Sequence, residues 1–199
     1  MMITEGNFIS TFNSSNTLEK NQKEEEYILY IEQHKERVKL SYDKYFAPLI
    51  NQNLDLNSCS NEEFQIALQD CIRNIALHDM SKYSDAEFGP YRLKWYPTVD
   101  ESTALEDENL FYQMRQMYEE AWKHHIQNNP HHPQYWVDED GNIKDMELKY
   151  IIEMMCDWLS FGKDIRAWYS KAEDEKSVMS AKTKEIVQEL MELIYTKQN

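Results

Sequence analysis

Residues Glu24–Leu49 read EEEYILYIEQHKERVKLSYDKYFAPL. Tyr27, Ile31, His34, Val38, Tyr42, Tyr45 and Leu49 recur at alternating three- and four-residue steps, which places them on one stripe of an α-helix. The spacing predicts an amphipathic helix of about six turns. Glu24, Glu25, Glu32, Lys35, Glu36 and Lys39 form its solvated outer face, and His34 falls on the buried stripe. A sequence that opens its folded part this way belongs to a helical protein.

The same period recurs downstream. Pro48 and the Asn-rich segment 51–61 end the first helix, and Ser60 with Glu63 supplies a capping box for a second. There Phe64, Leu68, Cys71, Ile75 and His78 share a face, and Asp79 closes the helix beside His78. Ser84 and Glu87 read as another capping box, interrupted at Gly89-Pro90, with Tyr91–Pro97 as a short aromatic, locally basic loop. A third long helix is expected over about 106–128, striped by Leu110, Met114, Met117, Ala121 and His124, with Phe111, Tyr118 and His125 flanking. Asn129-Pro130 stops it, because the residue before proline disfavours helix, and leaves His131-His132-Pro133 in the following turn. Asp138, Asp140 and Asn142 suggest a calcium loop, but Ile143 stands where that loop needs glycine, so a turn at Asp140-Gly141 is the better reading. Helices over about 145–161, with Tyr150, Met154, Asp157 and Phe161 on one side, and about 173–195 complete the pattern.

Composition agrees. Only 4 glycines and 5 prolines occur in 199 residues, which favours helices over sheets. The expected fold is all-α: a single-domain helical bundle of about five to seven helices over residues 23–199, preceded by a flexible, Ser/Asn-rich arm over 1–22. A net charge of −15 excludes wrapping duplex nucleic acid, which needs a broad basic surface, but leaves room for a small phosphorylated ligand. Cys59, Cys71 and Cys156 show no CxxC pairing, no apolar run is long enough to span a membrane, and the start has no signal-peptide pattern. The expectation is a cytoplasmic protein, with a homodimer left open.

Ionisable residues fall on faces the pattern buries. All 6 histidines lie between His34 and His132. His34, His78 and Asp157 take inward positions on three different helices, Asp79 adjoins one of them, and His124 or His125 does the same on another. A buried carboxylate without a partner costs several kcal/mol or neutralises itself, and a shared metal explains such a group most simply. Adjacent histidines on a helix point about 100° apart, so one of His124 and His125 is expected as a ligand, without the pattern deciding which. His131 and His132 either join that ion or pack against Tyr135 and Trp136. Tyr91, Trp95, Tyr96, Tyr135 and Trp136 can stack on a base, although aromatic residues this numerous usually belong to a core.

The order His34 … His78-Asp79 … Asp157 resembles the HD-domain superfamily of metal-dependent phosphohydrolases, whose signature is H…HD…D. His78-Asp-Met-Ser-Lys82 looks like its HDxxK element, departing from it at Ser81, where many members have glycine. The stretch AWKHH…NNPHHPQYW, residues 121–136, resembles a largely phage and bacterial family of HD-like proteins. The resemblance covers about residues 27–165. It implies a bundle of the HD-domain type with His34, His78, Asp79 and Asp157 on one divalent ion. His124, His125, His131 and His132 look like the extra histidines of members that hold two. The ions of that chemistry are Mn, Fe, Co, Mg, Ni or Zn. The implied activity is hydrolysis of a nucleotide or similar small phosphoester by a metal-activated water. Asp79 and Lys82 are the catalytic pair, Lys82 neutralises the phosphate, and Arg92, Lys94 and Lys123 are further phosphate contacts. A mixed-valent di-iron oxygenase on the same scaffold and a non-catalytic nucleotide- or protein-binding module are the two alternatives.

Overall fold

The computed structural model describes residues 17–162, 164–166, 169–170 and 179–196. Within them the chain forms seven α-helices and three short 3₁₀ turns, with no strand. The helices are α1 (Thr17–Tyr45), α2 (Asn61–Ala76), α3 (Phe88–Trp95), α4 (Val99–Ala104), α5 (Glu108–Asn128), α6 (Leu148–Ser160) and α7 (Ala181–Thr196). The all-α expectation holds. No described helix is long and apolar enough to cross a membrane, and Cys59, Cys71 and Cys156 are free.

Three boundaries differ from the sequence reading, each for a local reason. The arm expected over residues 1–22 lies outside the described residues up to 16, but from Thr17 onward the chain is already helical. These early turns carry no apolar stripe to detect. They are supported instead by side-chain pairs one turn apart, Gln22 to Glu26 at 3.0 Å and Lys23 to Glu26 at 2.8 Å. Residues 91–97, read as a loop, are mostly helix: Gly89-Pro90 sits inside the first turn of α3, where proline's missing N–H has no partner to lose. Ser84 and Glu87 form no capping box, because Glu87 makes no cap bond and turns its carboxylate elsewhere. The first part of the helix expected from residue 173 lies outside the described residues.

Other local readings hold. Ser60 and Glu63 form the reciprocal capping box of α2, Glu63 N donating to Ser60 Oγ at 3.2 Å and Ser60 N to Glu63 Oε2 at 2.9 Å. Asp138 accepts from the Asp140 and Asn142 amides at 3.1 and 2.8 Å, closing a turn whose Gly141 takes φ +81°, so this loop is a turn.

The chain divides into two compact units, residues 1–33 with 79–128 and residues 34–78 with 129–199. In the second unit α2 packs on α6 through Phe64, Leu68, Cys71, Ile75, Ile151, Ile152 and Met155, all buried. α6 is covered almost all round, with Ile151 to Cys156 buried without a break. The Tyr42 hydroxyl donates to the Leu68 carbonyl at 2.5 Å, tying the end of α1 to α2. In the first unit the core is aromatic: Tyr27, Ile31, Tyr91 and Ala121 are buried among Tyr30, Phe88, Tyr118 and Trp122. Beside it Arg92 and Glu101, both buried, form a two-pronged ion pair, Nη2 to Oε1 at 2.7 Å and Nη1 to Oε2.

Candidate metal centre

In the second unit three helices deliver one cluster. His34 comes from α1, His78 from just beyond the end of α2, and Asp157 from α6. His34 Nε2 lies 3.1 Å from Asp157 Oδ1 and 3.3 Å from His78 Nε2, and His78 Nε2 lies 3.7 Å from the same oxygen. Donors held at about 2.0–2.2 Å from one ion stand about 2.8–3.6 Å apart in octahedral or tetrahedral arrangements. The triangle therefore has nearly the size of one face of a coordination shell. Asp157 Oδ1 is buried and faces the two imidazoles, with no other hydrogen-bond partner among the described residues.

Glu153, one turn before Asp157 on α6 and only 4% exposed, extends this group. Its Oε1 lies 2.9 Å from His78 Nδ1 and 3.2 Å from His131 Nδ1. His34, His78 and Asp157 form one metal-capable group, and His78, His131 and Glu153 form a second that shares His78. Ser160 Oγ reaches His34 Nδ1 at 3.4 Å, and Phe161 stacks near the His34 ring. Arg166, further along the chain, binds Asp164 and not Asp157.

Electrostatics set the character of the site. Burial alone would raise the Glu153 carboxyl, but hydrogen bonds and charge from His131 and His78 outweigh it and hold it at about 2. Burial likewise opposes ionisation of Asp157, and the imidazoles of His34 and His78 beside it bring its carboxyl well below the usual range. Among the described residues, no lysine or arginine pairs with either acid.

A testable consequence concerns acid stability. A depressed carboxyl stabilises the fold above its ordinary pKa of 4.5, and that stabilisation is lost as pH falls toward the folded value of about 2. For Glu153 this amounts to about 3 kcal/mol. Denaturant unfolding of metal-free protein is expected to show this loss between pH 5 and 2, and Glu153→Gln is expected to show a correspondingly shallower acid limb.

The first unit places the other candidates. Asp79 adopts the left-handed region, φ 56° and ψ 21°, at a cost of about 1 kcal/mol, and so turns the chain sharply after His78. Its Oδ2 binds Lys82 Nζ at 2.6 Å and its Oδ1 lies 3.4 Å from His125 Nε2. Glu87, fully buried, takes His124 Nδ1 at 2.7 Å and His125 Nδ1 at 2.8 Å. Ser81, the departure from glycine, puts its hydroxyl 3.3 Å from His125 Nδ1. His125 is the inward histidine, 2% exposed, whereas the His124 side chain is 37% exposed with its Nε2 3.3 Å from Asn128 Nδ2. The stripe expected through Met114 and Ala121 thus ends on His125 rather than His124.

The expected phosphate contacts fare differently. Arg92 is committed to Glu101 and donates to the Tyr96 carbonyl, so it is a structural ion pair and not a surface cation. Lys94 Nζ sits 3.1 Å from the Tyr118 ring centroid, with burial lowering its pKa, and Lys123 is exposed beside His124. His131 is buried, and His132 stacks on it with ring centroids 4.3 Å apart. Tyr91 packs in the core on Tyr118 and His125, whereas Trp95 is 60% exposed. Trp136 spends its indole N–H on the Pro130 carbonyl.

Sequence reasoning missed Glu153 and Glu87 as members of these clusters. For Glu153 a signal existed: between Ile151 and Ser160 the only charged residues are Glu153 and Asp157, four apart in an otherwise apolar run. For Glu87 the Ser84 to Glu87 spacing imitated a cap and hid it.

No curated protein and no solved structure matches the chain. Residues 23–195 match the pattern of a family of unknown function (DUF5662). That match spans nearly all the described helices, and the chain belongs to this family.

Proposed function

We propose that the chain is a metal-dependent phosphohydrolase of the HD-domain kind, acting on a nucleotide or similar small phosphoester. One observation carries the reading. Glu153 and Asp157 are two carboxylates held in the ionised form, among the imidazoles of His34, His78 and His131, with no lysine or arginine paired to them among the described residues. With those imidazoles neutral, the two carboxylates are buried charge of one sign, and a divalent cation supplies the counter-charge. His34 Nε2, His78 Nε2 and Asp157 Oδ1 would hold it, two nitrogens and one oxygen, a donor set that suits Mn, Fe, Co, Ni or Zn better than Ca. When bound, such an ion lowers the pKa of a coordinated water and polarises a phosphoryl oxygen. The protein's part is to hold the three donors on separate helices and to shield them, with Phe161 against His34 and Ile152, Met155 and Cys156 filling the surrounding core. The order H…HD…D supports the phosphohydrolase class within metal chemistry.

The second His/acid group, Asp79, His125 and Glu87, favours a second reading, a di-iron oxygenase on the same scaffold. One experiment separates the two. Protein purified without chelator and supplemented with Mn²⁺, Co²⁺ or Fe²⁺ is assayed against nucleotides and simple phosphomonoesters, with O₂ consumption followed in parallel. The expected result is phosphate or nucleoside release that EDTA abolishes. Iron-dependent O₂ uptake without phosphate release would replace the hydrolase by the oxygenase, and no activity in either assay would overturn both.

A further inference from the structure

Each unit contains one buried glutamate that grips two imidazoles by the same ring atom. In the second unit Glu153 Oε1 lies 2.9 Å from His78 Nδ1 and 3.2 Å from His131 Nδ1. In the first, Glu87 Oε1 lies 2.7 Å from His124 Nδ1 and Oε2 lies 2.8 Å from His125 Nδ1. Glu153 is 4% exposed and Glu87 is 0% exposed. A carboxylate oxygen that bears no proton can only accept hydrogen bonds, so these distances fit all four rings with the proton on Nδ1. The neutral ring then bears its lone pair on Nε2. For the two inward rings that atom meets an aspartate: His78 Nε2 is 3.7 Å from Asp157 Oδ1 and His125 Nε2 is 3.4 Å from Asp79 Oδ1.

We propose that Glu87 and Glu153 are positioning residues that lock these four histidines as Nδ1–H tautomers, so that His78 and His125 present Nε2 lone pairs toward Asp157 and Asp79. The tautomer lock stands on the distances and burial alone. Its use, the presentation of nitrogen donors to a divalent cation, rests on the metal reading above. Histidines that bind metal commonly give their other nitrogen's proton to a carboxylate, which fixes the ring and raises its basicity.

The two clamps differ in a way that makes the proposal testable. Glu153 uses one oxygen for both rings, whereas Glu87 uses one oxygen for each. Glu153→Gln can keep an acceptor oxygen on both rings. Glu87→Gln must turn its amide NH₂ toward one ring and drive it to the Nε2–H form. The test is two-bond ¹H–¹⁵N correlation on the metal-free full chain at pH 8, with histidines assigned by single replacement, followed by Co²⁺ titration. In the parent, the four clamped rings are expected in the Nδ1–H pattern. Glu153→Gln is expected to retain that pattern, while Glu153→Ala loses it at His78 and His131 and weakens Co²⁺ binding by about 10–100-fold. Glu87→Gln is expected to switch His124 or His125 alone. Nε2–H patterns in the parent would overturn the proposal, as would parental Co²⁺ affinity in Glu153→Ala. A parent that shows the Nδ1–H pattern but binds no Co²⁺ would sink the metal reading and uphold the clamps.

Discussion

Asp157→Ala is expected to abolish divalent-ion binding in the second unit and to lower the unfolding free energy by about 3–5 kcal/mol. The two effects share a cause. Asp157 stands against His34 at 3.1 Å and is the acid on the inner face of α6 that meets both His34 and His78. Removing it takes an anionic donor from the ion and leaves His34, 2% exposed, without its carboxylate and His78, 1% exposed, with Glu153 alone. Asp157→Asn keeps the volume and is expected to recover part of the stability but not the ion, since a neutral amide oxygen is a weaker ligand. Calorimetric titration with Mn²⁺ and urea unfolding at fixed metal content read the two quantities separately. Parental Mn²⁺ affinity in Asp157→Ala would show that the ligand set is wrong.

Arg92→Met is expected to cost about 3 kcal/mol or more of stability while leaving Mn²⁺ affinity untouched. Glu101 is 1% exposed, and the guanidinium opposite it supplies both prongs of its pair. Burial would raise the Glu101 carboxyl, and the hydrogen bonds of Arg92 and the Thr98 amide bring it below the ordinary value. Without Arg92 that carboxylate keeps its amide bond from Thr98, at 2.8 Å, but loses its only described ion pair. Urea unfolding of the variant checks this directly. A variant with parental stability and weakened phosphate binding would return Arg92 to the site.

The sequence located helices wherever one face is wet and the other dry. In the α1 and α2 segments this contrast is strong, and it put His34 and His78 inward, where both are buried. On α5 it put Met114 and Ala121 inward, where both are buried. The same stripe left His124 and His125 undecided, and of the two His125 is the buried one. On α6 Ile151 to Cys156 are buried without a break, so position alone does not set Glu153 apart from its apolar neighbours. At the start of α1 the opposite holds: residues 17–23 are polar on every side, and a helix held by pairs such as Lys23 with Glu26 shows no period at all. Glu87 illustrates a different limit. Its spacing from Ser84 is that of a cap, and only the position of α5 shows that its carboxylate belongs to two histidines. Glycine and proline at 89–90 read as an interruption because their strongest role is to break helices, whereas the first turn of α3 tolerates both.

Whether His34, His78 and Asp157 bind an ion together is answered most directly by anomalous scattering from a crystal of the protein grown with Mn²⁺. The expected result is one strong peak about 2.0–2.3 Å from His34 Nε2, His78 Nε2 and Asp157 Oδ1. A well-ordered crystal with no peak at that position, or with manganese bound only elsewhere, would contradict it.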